Sequence, residues 1–505
     1  EDCRGEPWDV IWFEYGNETD HGDHFGNKIT AAEYGRRYLE YRQAMKAVDP
    51  RIKLGVVLAT LFPNLESCAP LAAWPCPVLE VTGANVDFVI HHSYLPGYGR
   101  NDGEPEAKEL FRIALAGGDQ IQEYYDDMRR LLRDKTGRDD ILIAITEYNG
   151  HFVQQQPVPY RHCLGNALVI ADMLRVFCNP ANKIAMANFW LFANEYWGAV
   201  KGYVHKNDVL VKRPQYYVFE LYAQHFGREL LAVKIDSPTY NTPGGYGVKP
   251  AGGTGQQFRE FAVDILPDGP WKLSDLPGVE HKEKDGILEV EFTGQDVDYR
   301  HAQKYMQAEP IMGYHLIGQI KTELEGDGEG VCYEMSALGL DGTVIGSICS
   351  IKIGQTTDWT EVEAHIVTSQ DTKRLRICPR RGVQKKPVKG KAYFRNVRIQ
   401  KYLPRIFPAV SFISANASQS EDGRNYYLMI INKNLDQPID TTISLAGLQP
   451  THARAWMLTG PGPEATNETN SDNVKIREKV GRITKDKVTI TLPPCSLTAL
   501  EVDSR

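Results

Sequence analysis

Glu18 and Glu147 are the residues of this sequence best suited to do chemistry together. Each closes an apolar run, WFEYGNE in one case and ILIAITEYN in the other, and each has a polar neighbour. Two carboxyls can cleave a glycosidic bond with retention when one acts as acid and base and the other as nucleophile, about 5–5.5 Å apart. A single strand-end glutamate serves just as readily to cap a loop or pair with an arginine. Two of them on separate strands favour the catalytic reading, provided the fold brings residues 18 and 147 to one face.

The elements that must do this are legible as alternating strand and helix signals, the pattern of parallel βα units. Five mostly apolar runs, 9–17, 52–60, 86–94, 141–149 and 183–192, read as strands buried on both faces. Helices fall between most of them, at 120–135, 163–177 and 215–228 and, most clearly, after Thr30. There Thr30 and Glu33 make a capping box, Tyr34, Tyr38, Tyr41 and Met45 recur at helical spacing, and Asp49-Pro50 stops the run. In a (β/α)8 TIM barrel the C-terminal ends of the strands face the active-site mouth, where both glutamates fall.

After HFGREL the periodicity turns from helical to alternating, and TPGGYGVKPAGGTGQQ reads as a linker. Short strands such as GILEVEFTG, HLIGQIKTELE, TEVEAHIVT and KAYFRNVRIQ then suggest a self-contained β-sandwich over 249–402. KAYFRNVRIQ resembles the closing strand of jelly-roll carbohydrate-binding modules. The basic tract from Lys373 to Lys401 reads as a charge-rich strand pair or as a contact for acidic polysaccharide, and Trp271 as a sugar-stacking or a core aromatic. The last hundred residues are β-rich as well, and a strand near 231–240 should complete their sheet. The expected architecture is therefore α/β plus all-β. It has five C-terminal βα units of a barrel (1–228), a C-terminal β-sandwich (229–248 and 403–505) and an inserted, jelly-roll-like module (249–402).

Composition bounds the rest. At 505 residues, with 42% hydrophobic and 24% charged residues, the chain is an ordinary multidomain globular protein, and its net charge of -8 does not suit a general nucleic-acid binder. No stretch reaches the roughly 20 apolar residues of a membrane span, and EDCRGEPWDV lacks the features of a signal peptide. None of the nine cysteines sits in a CxxC pair or a zinc pattern. Cys68 and Cys76 flank a proline-rich loop that a disulfide would close, and sequons stand at Asn416 and Asn467, with a third at Asn17 inside the candidate site. These features favour a secreted or cell-surface protein. Asp20, His21, Asp23 and His24 are metal-ligand types, but consecutive loop residues seldom converge on one ion, so substrate contact or solvation is the better reading.

GNE at the end of one strand and TEYN at the end of a later one resemble clan A glycoside hydrolases, and family 51, the α-L-arabinofuranosidases, fits best. The resemblance runs through ADMLRVFCNPANKIAMANFWLF and QYYVFELYAQHFGRELLAVKIDSPTY and into YYLMIINKNLDQPI and LPPCSLTALEV, leaving out the insertion. It implies Glu18 as acid and base, Glu147 as nucleophile and Asn17 as donor to the sugar 2-hydroxyl. Burial and negative charge nearby are expected to raise the pKa of Glu18. Tyr94 matches a family aromatic close to the nucleophile or is a core tyrosine, and of His91 and His92 one should face the site, with His92 the candidate. Where the family commonly has a glutamine on its last barrel strand this sequence reads NFWLF, so Asn188 or Trp190 takes that place.

The family also has βα units before the acid/base strand, and residues 1–8 do not encode them. Five strands alone leave open edges, so a second polypeptide is expected to supply the first barrel strands, or the sequence is incomplete, with Cys3 a possible link to the missing piece. The expected ligand is a polysaccharide or oligosaccharide with no cofactor, and a homo-oligomer is compatible. The competing reading is a non-catalytic extracellular glycan-binding or structural protein that reuses the fold.

Overall fold

A computed structural model describes residues 8–20, 29–59, 74–95, 107–152, 158–202, 210–243, 260–261, 265–266, 269–310, 312–326, 330–369, 371–402, 406–445 and 447–504. The chain divides into two compact units, one of residues 1–97, 114–240 and 409–505, the other of residues 98–113 and 241–408. Most of the glycine-rich stretch, the loop residues His21, Asp23 and His24, and Cys3 and Cys68 lie outside the described residues. Among the described cysteines there is no disulfide.

The first unit is built on a parallel sheet whose strands follow chain order: β1 (Trp12–Tyr15), β2 (Lys53–Ala59), β3 (Phe88–Leu95), β4 (Leu142–Gly150) and β5 (Ile184–Phe189). These are the five strands expected from the apolar runs. Helix α1 (Ala31–Val48) begins at Thr30, whose hydroxyl accepts from the Glu33 N–H at 3.2 Å. Only that half of the capping box forms, because the Glu33 carboxylate turns to Arg36 and to Arg37, the latter at 2.8 Å. Tyr34 and Tyr38 are buried and donate to Tyr15 O (2.7 Å) and Leu54 O (2.8 Å), so this helix is hydrogen-bonded as well as packed against β1 and β2. Tyr41, expected on the same face, is 56% exposed, with its ring centroid 5.0 Å from that of Tyr15.

A helix not foreseen, α2 (Pro75–Thr82), starts with proline in its first turn where the proline-rich stretch read as a loop. Helix α3 (Gly117–Thr136) ends at Gly137 in the left-handed conformation, and α4 (Leu164–Phe177) is buried on nearly every side. Helix α5 (Pro214–Gln224) follows β5. Behind α4 and α5 stands an antiparallel sheet in the strand order 475–480, 450–459, 496–504, 425–432, 413–419 and 229–231, packed on a three-stranded sheet around Ile430, Leu492, Leu500 and Val502.

The helical layer and this sheet are pinned by polar groups. Asp172 on α4 is 1% exposed and takes Lys433 Nζ at 3.0 Å, Arg175 Nε at 2.6 Å and Ser414 Oγ at 2.9 Å. Arg213 donates to Glu468 at 2.7 Å, and the His225 ring stacks on Trp456 at 4.0 Å. Asn467 is buried in the same seam, and its amide donates to Lys212 O at 3.1 Å and Val474 O at 2.9 Å, a geometry that a glycan on that nitrogen would break. Asn416, expected in a loop, lies within the strand 413–419.

The second unit contains two antiparallel sheets. One runs 279–284, 287–293, 389–402, 313–325 and 356–367, and the other 272–273, 302–307, 374–380, 332–338 and 344–349. Their facing side chains, among them Leu288, Phe292, Leu316, Tyr333, Ile377 and Phe394, form one core. Trp271 belongs to that core, at 7% exposure, which removes it as a sugar platform. Within the basic tract, Lys391 meets Glu289 at 2.7 Å and Lys401 meets Glu309.

Candidate active site

The C-terminal ends of β1, β3 and β4 converge on one cluster. Past β1 the chain turns through Gly16 (φ +83°) to Glu18, itself in the left-handed region at φ +50°. A β-carbon on Gly16 would approach Thr19 Cγ2 to 2.9 Å, so this turn needs glycine on two counts. Between β3 and β4 the register slips by one residue: His91 is opposite Ile145, yet His92 is opposite Glu147. Thr146 is the extra residue of this bulge. The bulge sets Thr146 and Glu147 on the same imidazole. His92 Nε2 lies 3.0 Å from Thr146 Oγ1, and His92 Nδ1 lies 3.0 Å from Glu18 Oε1 and 3.6 Å from Glu147 Oε2.

Glu18, His92 and Glu147 each contribute an atom to a group whose members all lie within 4.8 Å of one another. Tyr94, two residues along β3 and so on the same face as His92, donates its hydroxyl to Glu147 Oε2 at 2.7 Å. Burial, followed by that bond and the Glu147 charge, holds the phenol protonated far above its ordinary pKa. Burial alone would lower the pKa of His92, but the Glu18 bond and the charges of Glu147 and Glu14 outweigh it and leave the imidazole raised. His91 takes the opposite side of β3, with Nδ1 3.1 Å from Tyr125 Oη, and burial pushes its pKa down to about 3. One histidine of the pair thus faces the carboxylates and the other packs.

The geometry adds residues that spacing did not reveal. Glu14, mid-strand in β1, has a carboxylate oxygen 3.9 Å from His92 Nε2, and burial raises its pKa against the lowering effect of Thr146 and His92. Its signal was a carboxylate inside an apolar strand, in alternation with Trp12. Trp197, 6.3 Å from Tyr94 between ring centroids and stacked on His151, forms an aromatic wall beside the cluster. Asn17 is exposed on the turn, and Asn188 and Trp190 are exposed at the end of β5. Among the described residues no hydrogen bond joins these three side chains to the carboxylates. Trp190 is anchored through its backbone, its N–H donating to Tyr148 O at 3.1 Å and its carbonyl accepting from Asn149 Nδ2 at 2.6 Å.

Comparison with known proteins gives this arrangement a family. The family described as alpha-L-arabinofuranosidase C-terminal domain matches residues 146–496. An exo-α-(1→6)-L-arabinofuranosidase of Bifidobacterium longum is 24% identical over 190 residues, which are 37% of this chain and 35% of that protein. An intracellular exo-α-(1→5)-L-arabinofuranosidase of Streptomyces lividans is 22% identical over 252 residues, 47% of this chain and 36% of that one. The matched regions thus span about a third of each of these relatives. The fold is similar to the crystal structure of α-L-arabinofuranosidase from Thermotoga maritima, with TM-score 0.57 and 18% identity over 99% of this chain and 68% of that one. It is also similar to a family 51 α-L-arabinofuranosidase from Bifidobacterium longum, with TM-score 0.53 and 14% identity over 99% and 68%. With a family match extending over residues 146–496 and the fold of family 51 glycoside hydrolases, the chain belongs to the α-L-arabinofuranosidase C-terminal domain family.

Proposed function

We propose that this chain carries the catalytic centre of a retaining α-L-arabinofuranosidase, with Glu147 as nucleophile and Glu18 as acid and base. The observation that carries the reading is the carboxylate spacing. A Glu18 oxygen and a Glu147 oxygen within 4.8 Å of each other suit a retaining pair, and not the about 6.5–9.5 Å that leaves room for the water of an inverting one.

In the first step a Glu147 oxygen bonds to the anomeric carbon as the glycosidic C–O bond breaks, and the Glu18 proton goes to the leaving oxygen. In the second step Glu18 takes a proton from water, whose oxygen displaces Glu147 from the anomeric carbon. Tyr94 donates to Glu147 Oε2, which orients the carboxylate and leaves its other oxygen for attack. His92, carrying charge between Glu14, Glu18 and Glu147, lets three carboxylates share a small volume. Asn17 is assigned to the sugar 2-hydroxyl, and Asn188 or Trp190, with Trp197, to the walls of the sugar pocket.

The sheet edges suggest that strands from outside this sequence flank β1 and β5. Parallel strands of this kind are ordinarily buried on both faces. Here every residue of β1 is only half-buried, and Trp190 and Phe192 beyond β5 are 44% and 57% exposed. A second polypeptide that supplies those strands should appear in the intact mass of the native particle. A secreted or cell-surface setting is proposed on the Cys68 and Cys76 pair and the Asn416 sequon, and a nonreducing peptide map that finds both cysteines as thiols and Asn416 without glycan would remove it.

The catalytic assignment is tested by incubating the assembled protein with a 2-deoxy-2-fluoro-arabinofuranosyl donor and mapping the adduct. One covalent sugar on Glu147, absent in Glu147→Gln, is expected. Turnover of an arabinofuranoside with no adduct, or with the adduct on another residue, overturns it.

A further inference from the structure

The second unit contains its own convergence of ligating side chains, built from residues other than the carboxylates of the first. His315 lies on the strand Gly313–Glu325 and is directly opposite His365 on the antiparallel strand Thr356–Val367. Glu363, two residues before His365, points to the same face. The three offer one imidazole nitrogen each and a carboxylate oxygen, all within 4.8 Å of one another. His315 Nε2 is 3.0 Å from Glu363 Oε2, and the two rings stack with centroids 3.9 Å apart and planes 11° from parallel.

From this geometry we propose a divalent transition-metal site of the zinc class, ligated by His315, His365 and Glu363. Two imidazoles and one carboxylate are the donor set zinc accepts, with bonds of about 2.0–2.2 Å. Ligand atoms of a tetrahedral site at such bond lengths lie about 3.3 Å apart, so the His315–Glu363 pair already has the required separation. The His365 nitrogen lies within 4.8 Å of the other two ligand atoms, and rotation about χ2, a broad and soft torsion, is the movement that would bring it in. The strands make this a prepared site, because the register holds the two histidine backbones in place without the ion.

Burial is graded in the way an open site needs. The His315 side chain is 9% exposed and Glu363 65%, so the ion would rest on a buried nitrogen and keep a water-facing position. A further polar atom lies alongside: Gln400, opposite His315 on the other neighbouring strand, has a buried Oε1 that accepts no hydrogen bond among the described residues. An amide oxygen there is suited to accept a hydrogen bond from a metal-bound water or from the far N–H of an imidazole, the usual outer partner of a metal-bound histidine. The site ties two long strands of one sheet together across their faces. Its expected role is to stabilise the inserted module.

The test uses the full chain without an affinity tag, stripped with a chelator and titrated with Zn2+ by calorimetry and with Co2+ by its visible absorption. One equivalent should bind, Co2+ should give the intense bands of a low-coordinate nitrogen site, and saturating Zn2+ should raise the unfolding temperature of the second unit. Loss of an outer partner typically weakens a site about 10–100-fold, so His365→Ala should weaken Zn2+ by at least the upper figure. His365→Gln serves if the alanine variant unfolds early, and Glu147→Gln should leave the titration unchanged. Absence of Co2+ bands in the parent, an unaltered titration in the His315→Ala/His365→Ala double variant, or loss of binding in Glu147→Gln alone overturns the proposal, the last by moving the ion to the carboxylate cluster.

Discussion

His92 Nδ1 stands 3.0 Å from Glu18 Oε1, and the opposite nitrogen of the same ring stands 3.0 Å from Thr146 Oγ1. One imidazole therefore ties the turn after β1 to the bulge in β4, the two places where the candidate carboxylates enter the site. Its charge has a consequence for stability. Burial works against the imidazolium, but Glu18, Glu147 and Glu14 raise its pKa above 6.5 in the folded chain. A raised folded value means that the stabilisation is complete below the unfolded pKa and is lost as pH rises through the folded one. Against His92→Gln, the parent should hold its full advantage in urea midpoint below about pH 6 and lose it as pH rises through the raised folded value. A constant difference across that range would show that His92 acts by packing alone.

Tyr94→Phe removes one donor from Glu147 and no volume from the wall beside Trp197. A hydrogen bond to a charged group contributes about 1.5–3 kcal/mol, so kcat on an arabinofuranoside should fall by about one to two orders of magnitude. KM should change little, because the tyrosine touches the carboxylate and not the sugar. A steady-state comparison of the two constants checks this, and a fall in KM alone would contradict it.

Gly16→Ala should lower activity much more than stability. The residue sits at φ +83° in an exposed turn, where a β-carbon both strains the backbone and meets Thr19, so the turn that aims Glu18 must shift. The stability cost of a single left-handed non-glycine residue is about 1–2 kcal/mol, whereas a misplaced acid can cost about 10²-fold in rate. Parallel measurement of melting temperature and kcat separates the two effects.

Lys433→Met tests the seam between α4 and the C-terminal sheet. It leaves Asp172, 1% exposed, with Arg175 and Ser414 but without its buried ammonium partner. Burial opposes the Asp172 charge, and Arg175 and Lys433 together hold its pKa well below the ordinary value. Breaking a buried pair from one side costs about 3–5 kcal/mol, visible as a lower urea midpoint. Because the folded pKa of Asp172 is depressed, the parent's advantage should be present above about pH 4 and fade as the solution is acidified.

The sequence by itself determined the five parallel strands, most of the helices between them, the N-cap at Thr30 and the positions of Glu18 and Glu147 within three residues of two strand ends. These follow from apolar runs, capping chemistry and turn residues, all of which act over a few neighbouring positions. What the tertiary structure decided depends on which residues face one another across strands. A single slip of register made Thr146 an extra residue and turned Glu147 toward His92. Alternation along β1 brought Glu14 into the same cluster, packing of two sheets took Trp271 into a core, and the seam between the helical layer and the C-terminal sheet buried the Asn467 amide. No local pattern encodes such pairings, because the free energy that selects them comes from burying side chains and satisfying polar groups contributed by distant parts of the chain.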